Sequence, residues 1–488
     1  MHRLSALPFD NSYVRLHPAC YQVVEPTPLP EPSLLAFNPD AAALLGLDPR
    51  EAEAPEAALY LSGNRRLPGA EPIAQAYGGH QFGVWVPQLG DGRAVLLGEV
   101  QGPGGAWDLH LKGGGRTRFS RFGDGRSVLR STVREYLASE AMHGLGIPTT
   151  RALAMVGSPE RVQREQVETA ATLLRLSPSH VRFGTFQYFT ARGELERVRE
   201  LADYVVQRHF PALAGAGPLQ LFAEMVRRTA TLLAQWMAAG FAHGVMNTDN
   251  MSVLGLTLDY GPYGFLDEYD AGFIGNHTDT GGRYAYDQQP AVGMWNCARF
   301  GEALLPIDGA PMEAWQTELE RYWALFADAY RRLMLARLGL TERSTDTGDL
   351  SEDAGLLSDL LGVLQAERLD YTNSFRSLCE FRTEGPSPAD GAASEAMRAW
   401  LARYAARLRA EGSVDAERAA RMRRVNPKYV LRNWIAQEAI EQAQAGRCGL
   451  IEELRRLFAD PFAEHPALAR FAEPPTGAAR EIAVSCSS

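Results

Sequence analysis

A chain of 488 residues, 45% hydrophobic and 22% charged, has the composition of a folded protein and the length for one large two-lobed domain or roughly two or three ordinary ones. Its 49 basic residues stand against 59 acidic ones, a net charge of −10, which excludes a general nucleic-acid binder that neutralises many phosphates while leaving room for a local basic pocket. Five scattered cysteines (Cys20, Cys297, Cys379, Cys448, Cys486) without a C-x-x-C pattern exclude a zinc knuckle or disulfide framework; with no apolar run of about 18 residues, a soluble cytoplasmic protein outside the membrane is expected.

From Leu89 to Lys112, glycine-bearing turns alternate with short apolar runs: Gly90-Asp91-Gly92-Arg93, residues 94–100, a Gly/Pro turn at 102–105, and residues 107–112. This predicts antiparallel strands joined by tight turns. After Arg126, Val128, Leu129, Val133, Tyr136, Leu137 and Met142 fall at helical spacing up to the Gly144–Pro148 stop, and residues 169–176 read as a strand again. Beyond about residue 195 the periodicity is helical, over 219–239, 312–338, 351–367, 393–411, 428–445 and 451–457. The expected fold class is therefore α+β, a β-rich front over 1–190 and a helical rear over 191–488, with exposed connections at 341–349 and 386–392.

Residues 243–261 carry the most chemistry. His243-Gly244-Val245-Met246-Asn247-Thr248-Asp249-Asn250 is followed by an apolar stretch, 251–258, that reads as a strand, and then by Asp259-Tyr260-Gly261. Protein kinases write their catalytic loop H-R-D-x-x-x-x-N and open a later D-F-G with a metal-holding Asp. His243 and Asn250 keep that separation, but Val245 stands where the catalytic Asp belongs, and another carboxylate, Asp249, precedes the Asn. Asn250 and Asp259 supply the few oxygen ligands that Mg²⁺ or Mn²⁺ takes when phosphates complete its shell. His243 reads as a structural residue that orients the loop.

Lys112 closes an alternating run, Leu109-His110-Leu111-Lys112, as the lysine of a kinase strand does, and needs a counter-ion: Glu135 or Glu140 in the following helix. The stretch from Lys112 to Arg126, with Gly113 to Gly115 and Gly123-Asp124-Gly125, offers backbone amides and guanidinium groups to a phosphate. Arg175 and Arg182 flank the end of a strand where a kinase lines its adenine pocket with apolar residues. Facing the cleft, they favour a polyanion there, which means a nucleotide bound the other way round.

Taken with Phe9 to Tyr13, Tyr77-Gly78-Gly79-His80-Gln81-Phe82-Gly83, Asn426 to Asn433 and the terminal Ser485-Cys486-Ser487-Ser488, these motifs make the chain resemble the selenoprotein O family (SelO, also called YdiU) end to end. The resemblance implies a protein-kinase-like bilobal fold that binds ATP inverted and transfers AMP to hydroxyl groups of proteins. It implies nucleotide contacts from Gly90, Gly92, Arg93, Lys112, Asp124, Gly125, Arg175, Arg182 and Asp259, with Glu135 pairing Lys112, Asp249 as proton acceptor, and Asn250 and Asp259 as metal ligands. One departure stands out: redox-regulated members carry a cysteine after the Asp-Tyr-Gly segment, and Ile274-Gly275-Asn276-His277 has glycine there, leaving Cys486 without that partner. Transfer of UMP from UTP, transfer of the γ-phosphate as a kinase, and a catalytically silent nucleotide-binding regulator are the competing expectations.

Overall fold

A computed structural model describes residues 1–341, 350–385 and 394–485. The connections expected at 341–349 and 386–392 lie outside these residues apart from Thr341, and so does Cys486. The strands are β1 (Tyr21–Val23), β2 (Ser33–Phe37), β3 (Ile73–Gln75), β4 (Gly79–Gln81), β5 (Val84–Val86), β6 (Ala94–Gly102), β7 (Gly105–Lys112), β8 (Ser127–Val128), β9 (Arg151–Gln163), β10 (Val167–Ser177), β11 (Phe241–Ala242) and β12 (Gly264–Phe265). The front helices are α1 (Pro39–Leu44), α2 (Ala57–Leu61) and α3 (Leu129–Gly144). Behind them follow α4 (Phe183–Thr190), α5 (Leu195–His209), α6 (Pro218–Ala239), α7 (Gln289–Leu304), α8 (Met312–Arg337), α9 (Leu350–Glu367), α10 (Tyr371–Ser377), α11 (Glu395–Ala410), α12 (Asp415–Arg423), α13 (Asn433–Gln444) and α14 (Gly449–Ala459).

The main sheet is antiparallel in the order β1-β3-β6-β7-β10-β9-β2, with β8 added to β10. Alternation along β7 and β10 sorts their side chains by face. Leu109, Leu111, Leu174 and Leu176 join Val95, Leu97 and Leu153 in one apolar cluster beside α1 and α2. His110, Lys112 and Arg175 consequently share the opposite face, and the register sets Arg175 against His110 and Leu173 against Lys112.

Helix α3 lies between that face and the helical rear. Val133, Tyr136, Leu137, Ala141 and Met142 are buried with Met155 and Leu173 of the sheet and with Trp236, Phe241, Ile435 and Leu454 behind. Burial of each large side chain stabilises the packing by about 1.5–3 kcal/mol, so the helix is fixed along its length and its polar residues have set directions. Arg134, Glu135 and Glu140 are buried on it as well, and each is paired.

Three local expectations need correction. The strand read at 251–258 is instead a turn: Gly255 takes φ +67°, Met251 bridges Thr257, and Ser252 bridges Arg182. The helix read from 428 starts at Asn433 because Tyr429, Val430 and Leu431 are buried outside any helix, the Arg432 amide turns back to the Val430 carbonyl at 2.8 Å, and Arg432 (ψ 152°) is held by Asp267 at 2.6 Å and Asp370 at 2.8 Å. Helix α4 begins before residue 195, where the helical periodicity was read to start, since it is buried over nearly all of its surface and so shows no one-sided stripe; α5, from Leu195, starts where that periodicity does.

Candidate active site

Gly90, Gly92, Arg93, Lys112, Asp124, Gly125, Arg175, Arg182, Asp249, Asn250 and Asp259 line one cavity of about 800 Å³ between the sheet and the 243–262 segment. Glu135 lies just behind it. Lys112 pairs with Glu135 rather than Glu140, whose carboxylate is taken by Arg151 at 2.7 Å. The sequence left those two carboxylates open; the direction of α3 decides between them.

The cavity floor is a connected ion-pair network. Arg175 Nη1 donates to Glu135 Oε1 at 2.8 Å and to Asp259 Oδ1 at 2.7 Å, while its Nη2 donates to His110 Nδ1 at 2.7 Å. Arg182 Nη1 donates to Asp259 Oδ2 at 2.5 Å and to the carbonyl of Asp249 at 2.9 Å, and its guanidinium lies over the Tyr77 ring at 4.7 Å. Lys112 Nζ stands 3.9 Å from Asp259 Oδ1. Burial alone would raise the Asp259 carboxyl, but Arg182, Arg175 and Lys112 override it and hold the group well below the usual range. Burial likewise works against ionised Glu135, and Lys112 and Arg175 bring it below its ordinary value. Asp259 also adopts φ +54°, a left-handed backbone that costs an L residue roughly 1–2 kcal/mol and that these three cations hold in place.

Asp249 behaves differently. Burial pushes its carboxyl up to about 6, against the pull of Arg182. Its Oδ2 accepts a hydrogen bond from Gln81 Nε2 at 3.3 Å, and its buried Oδ1 has no partner among the described residues. Such a carboxylate keeps one oxygen with no donor at all, whereas both oxygens of Asp259 already accept from guanidinium groups. Val245 lines the cavity at the place of the usual kinase base and offers no proton acceptor.

Asn250 donates from Nδ2 to the Val245 carbonyl at 2.9 Å, which leaves its amide oxygen as the atom for a ligand. Among the described residues no group of three or more His, Cys, Asp or Glu is arranged to hold a metal ion. The donor set of Asn250 and Asp259 nevertheless fits a hard divalent cation, because such ions take few side-chain oxygens and complete their shell with phosphate and water, and each Asp259 oxygen has a second lone pair beyond its guanidinium bond. His243 is buried, donates from Nε2 to the Leu258 carbonyl at 2.8 Å and stacks on Trp236, in keeping with the structural part read for it.

Over the cavity, Asp124 anchors the glycine loop: its oxygens take Arg164 at 2.7 Å and 2.8 Å and the Arg126 amide at 2.8 Å. Gly125 (φ +74°) passes so close to Gly115 that a Cβ would lie 2.1 Å from its carbonyl carbon. Arg93 is exposed at the cavity rim.

Several site residues escaped the sequence reading. Asp91, taken for part of a turn, is 1% exposed and accepts from the Gln75 amide at 2.9 Å, His110 Nε2 at 3.3 Å and the Tyr77 hydroxyl at 3.3 Å. His110 in turn stacks on His180 with ring centroids 4.2 Å apart. The signals available were the alternation that puts His110 on the face of Lys112 and the unusual 77–83 motif.

The family described as protein adenylyltransferase SelO matches residues 3–457. Protein nucleotidyltransferase YdiU of Myxococcus xanthus (strain DK1622) is 54% identical over 503 residues, with 100% of both chains covered. The proteins of the same name from Thioalkalivibrio sulfidiphilus (strain HL-EbGR7) and Thiobacillus denitrificans (strain ATCC 25259 / T1) are 53% and 51% identical, again over 100% of each chain.

Proposed function

The chain belongs to the SelO family of protein nucleotidyltransferases, and from that premise we propose that it transfers AMP from ATP to Ser, Thr or Tyr hydroxyls of proteins, releasing pyrophosphate, with Mg²⁺ or Mn²⁺ as cofactor. The architecture proposed with it is kinase-like and bilobal: residues 1–190 form the lobe that takes the phosphates, and 191–488 the helical lobe with the catalytic loop. The observation that carries the reading is the division of labour between two carboxylates of one cavity. Asp259 is tied to Arg175 and Arg182, whereas Asp249 keeps an oxygen without a donor.

Buried Lys112, Arg175 and Arg182 favour the β- and γ-phosphates at the cavity floor, where they act in a low-dielectric setting. This orientation is the reverse of a kinase's and brings the α-phosphorus toward Asp249. The acceptor hydroxyl gives its proton to Asp249 as its oxygen bonds to the α-phosphorus; the bond from that phosphorus to the bridging oxygen breaks, and pyrophosphate leaves with the electron pair. A divalent cation held by Asn250 and Asp259 would supply neutralisation of phosphate charge. The proposed setting is the cytoplasm, with protein targets there; no helix among the described residues is long and apolar enough to cross a membrane.

The deciding experiment is transfer to a test protein, or to the chain itself, from ATP labelled at the α- or the γ-phosphate, with UTP labelled at the α-phosphate alongside. Label from α-ATP alone is the expected result. Label from γ-ATP alone would overturn the inverted orientation in favour of a kinase, and preferential label from UTP would change the transferred group to UMP.

A further inference from the structure

Asp249 does not hold its own position. Its loop is zipped to the segment that carries strand β4: the His80 amide donates to Thr248 Oγ1 at 2.7 Å, Gln81 Nε2 to Asp249 Oδ2 at 3.3 Å, and the Phe82 amide to Asn247 Oδ1 at 3.2 Å. Three consecutive residues of one segment thus meet three consecutive residues of the other. Both anchors flanking the Gln81 contact are braced further. Thr248 donates to Gln187 Oε1 at 2.6 Å, and Asn247 Oδ1 accepts from the Tyr284 hydroxyl at 2.6 Å. On the other side of the carboxylate stands Gly79, where a Cβ would lie 2.6 Å from Asp249 Oδ1, 2.9 Å from its Cβ and 3.1 Å from its Cγ. Close behind, Gly184 admits the Gly78 carbonyl to a place where its own Cβ would be 2.1 Å away, and Gly78 N donates to the Gly184 carbonyl at 3.1 Å.

We propose that the Tyr77–Gly83 segment is the positioning element for Asp249: Gln81 sets the rotation of the carboxylate by holding Oδ2, and the bare face of Gly79 leaves Oδ1 the room to stay unpartnered. Gln81 is a positioning residue that acts through Asp249. The inference rests on the proton-acceptor reading of Asp249 and assigns a task to a motif that no nucleotide, metal or proton-transfer role has claimed. A carboxylate that must accept a proton in one geometry needs its orientation fixed by a neighbour, and it needs an oxygen that the neighbour does not occupy. Gln81 and Gly79 supply these two conditions separately.

The test measures nucleotide affinity and turnover apart, on the full chain, in Gln81→Met, Gly79→Ala and, as control, Asp249→Ala. Methionine keeps the length and volume of Gln81 without its donor; alanine at Gly79 would overlap Asp249 at Oδ1 and Cβ and so force its buried side chain to shift. Losing an orienting contact costs about 10- to 100-fold in kcat. Both variants should show that loss with the Kd for Mg·ATP within about 3-fold of the parent, while a melting temperature that falls by a few degrees still leaves both fully folded at the assay temperature. Parent-like kcat in both variants, beside an inactive Asp249→Ala, would overturn the positioning role and leave the proton acceptor standing. Parallel losses of kcat and ATP affinity would overturn it too, as the mark of a general structural part. Full transfer by Asp249→Ala would instead remove the proton-acceptor reading itself, and this inference with it.

Discussion

Replacing Arg175 by methionine removes one guanidinium from a balanced buried set. Lys112, Arg175 and Arg182 face Asp91, Glu135 and Asp259, all within one bonded network. Arg175 alone bonds Glu135 at 2.8 Å, Asp259 at 2.7 Å and His110 at 2.7 Å. An uncompensated buried charge costs about 3–5 kcal/mol; here the lower end applies, since Lys112 still holds Glu135 and Arg182 still holds Asp259. The variant should therefore melt lower but remain folded. For a triphosphate on the cavity floor, the missing charge-assisted contact is worth about 1.5–3 kcal/mol, which weakens ATP binding by about 10- to 150-fold. Adenosine has no phosphate to lose and should change by less than about 2-fold. Calorimetric titration of Mg·ATP and of adenosine reads both values. Arg175→Lys keeps the charge but gives up the fork that reaches three partners, and should fall between parent and methionine variant. Equal losses for ATP and adenosine in a folded variant, or no loss for ATP, would refute the placing of phosphates against Arg175.

The two cavity carboxylates should separate binding from chemistry. Asp249→Ala is expected to lower transfer from α-labelled ATP by about 10²–10⁴-fold while ATP affinity stays within about 3-fold, and retained transfer would sink the assigned proton acceptor. In Asp259→Ala the affinity for the metal–nucleotide complex should fall as well, read by titration with and without divalent cation; a difference from parent in turnover alone would contradict its metal role. Chelating divalent cations should weaken ATP binding by about 5- to 150-fold, the span of ordinary coupling between two ligands. Identical ATP isotherms with and without chelator would argue against a shared site at Asn250 and Asp259.

The legible parts of the molecule were those in which one residue's neighbours along the chain decide its environment. Strand alternation in Leu109 to Lys112 is local, and it gave both the strand and the face on which Lys112 stands. The apolar spacing of α3 and the helical rear is local too, hence the close agreement for α6, α8 and α9. The counter-ion of Lys112 was open between Glu135 and Glu140 because both occur on α3, and only the packing of that helix turns one toward the sheet and the other toward Arg151. Residues 251–258 misread as a strand for a related reason. An apolar run signals burial, and here the burial belongs to a turn at Gly255 held by single bridges to Arg182 and Thr257.

What stayed hidden was long-range. Asp91 in a Gly-Asp-Gly turn has every local mark of a solvated hairpin residue, yet it is buried because Gln75 and His110 arrive from β3 and β7 and Tyr77 from the link after β3. Its burial changes the meaning of the site. Every buried cation on the cavity floor already has a carboxylate, so a nucleotide cannot simply add its phosphates to vacant positive charge; it must exchange for carboxylate contacts or bring positive charge with it. Exposed Arg93, Arg116 and Arg121 around the cavity can follow the phosphates, and Asp259, freed in part from its guanidinium partners by that exchange, becomes available to a cation. On the proposed function, the same ion pairs that balance Lys112, Arg175 and Arg182 would couple nucleotide and metal, so ATP without divalent cation, and divalent cation without ATP, should each bind weakly to this chain.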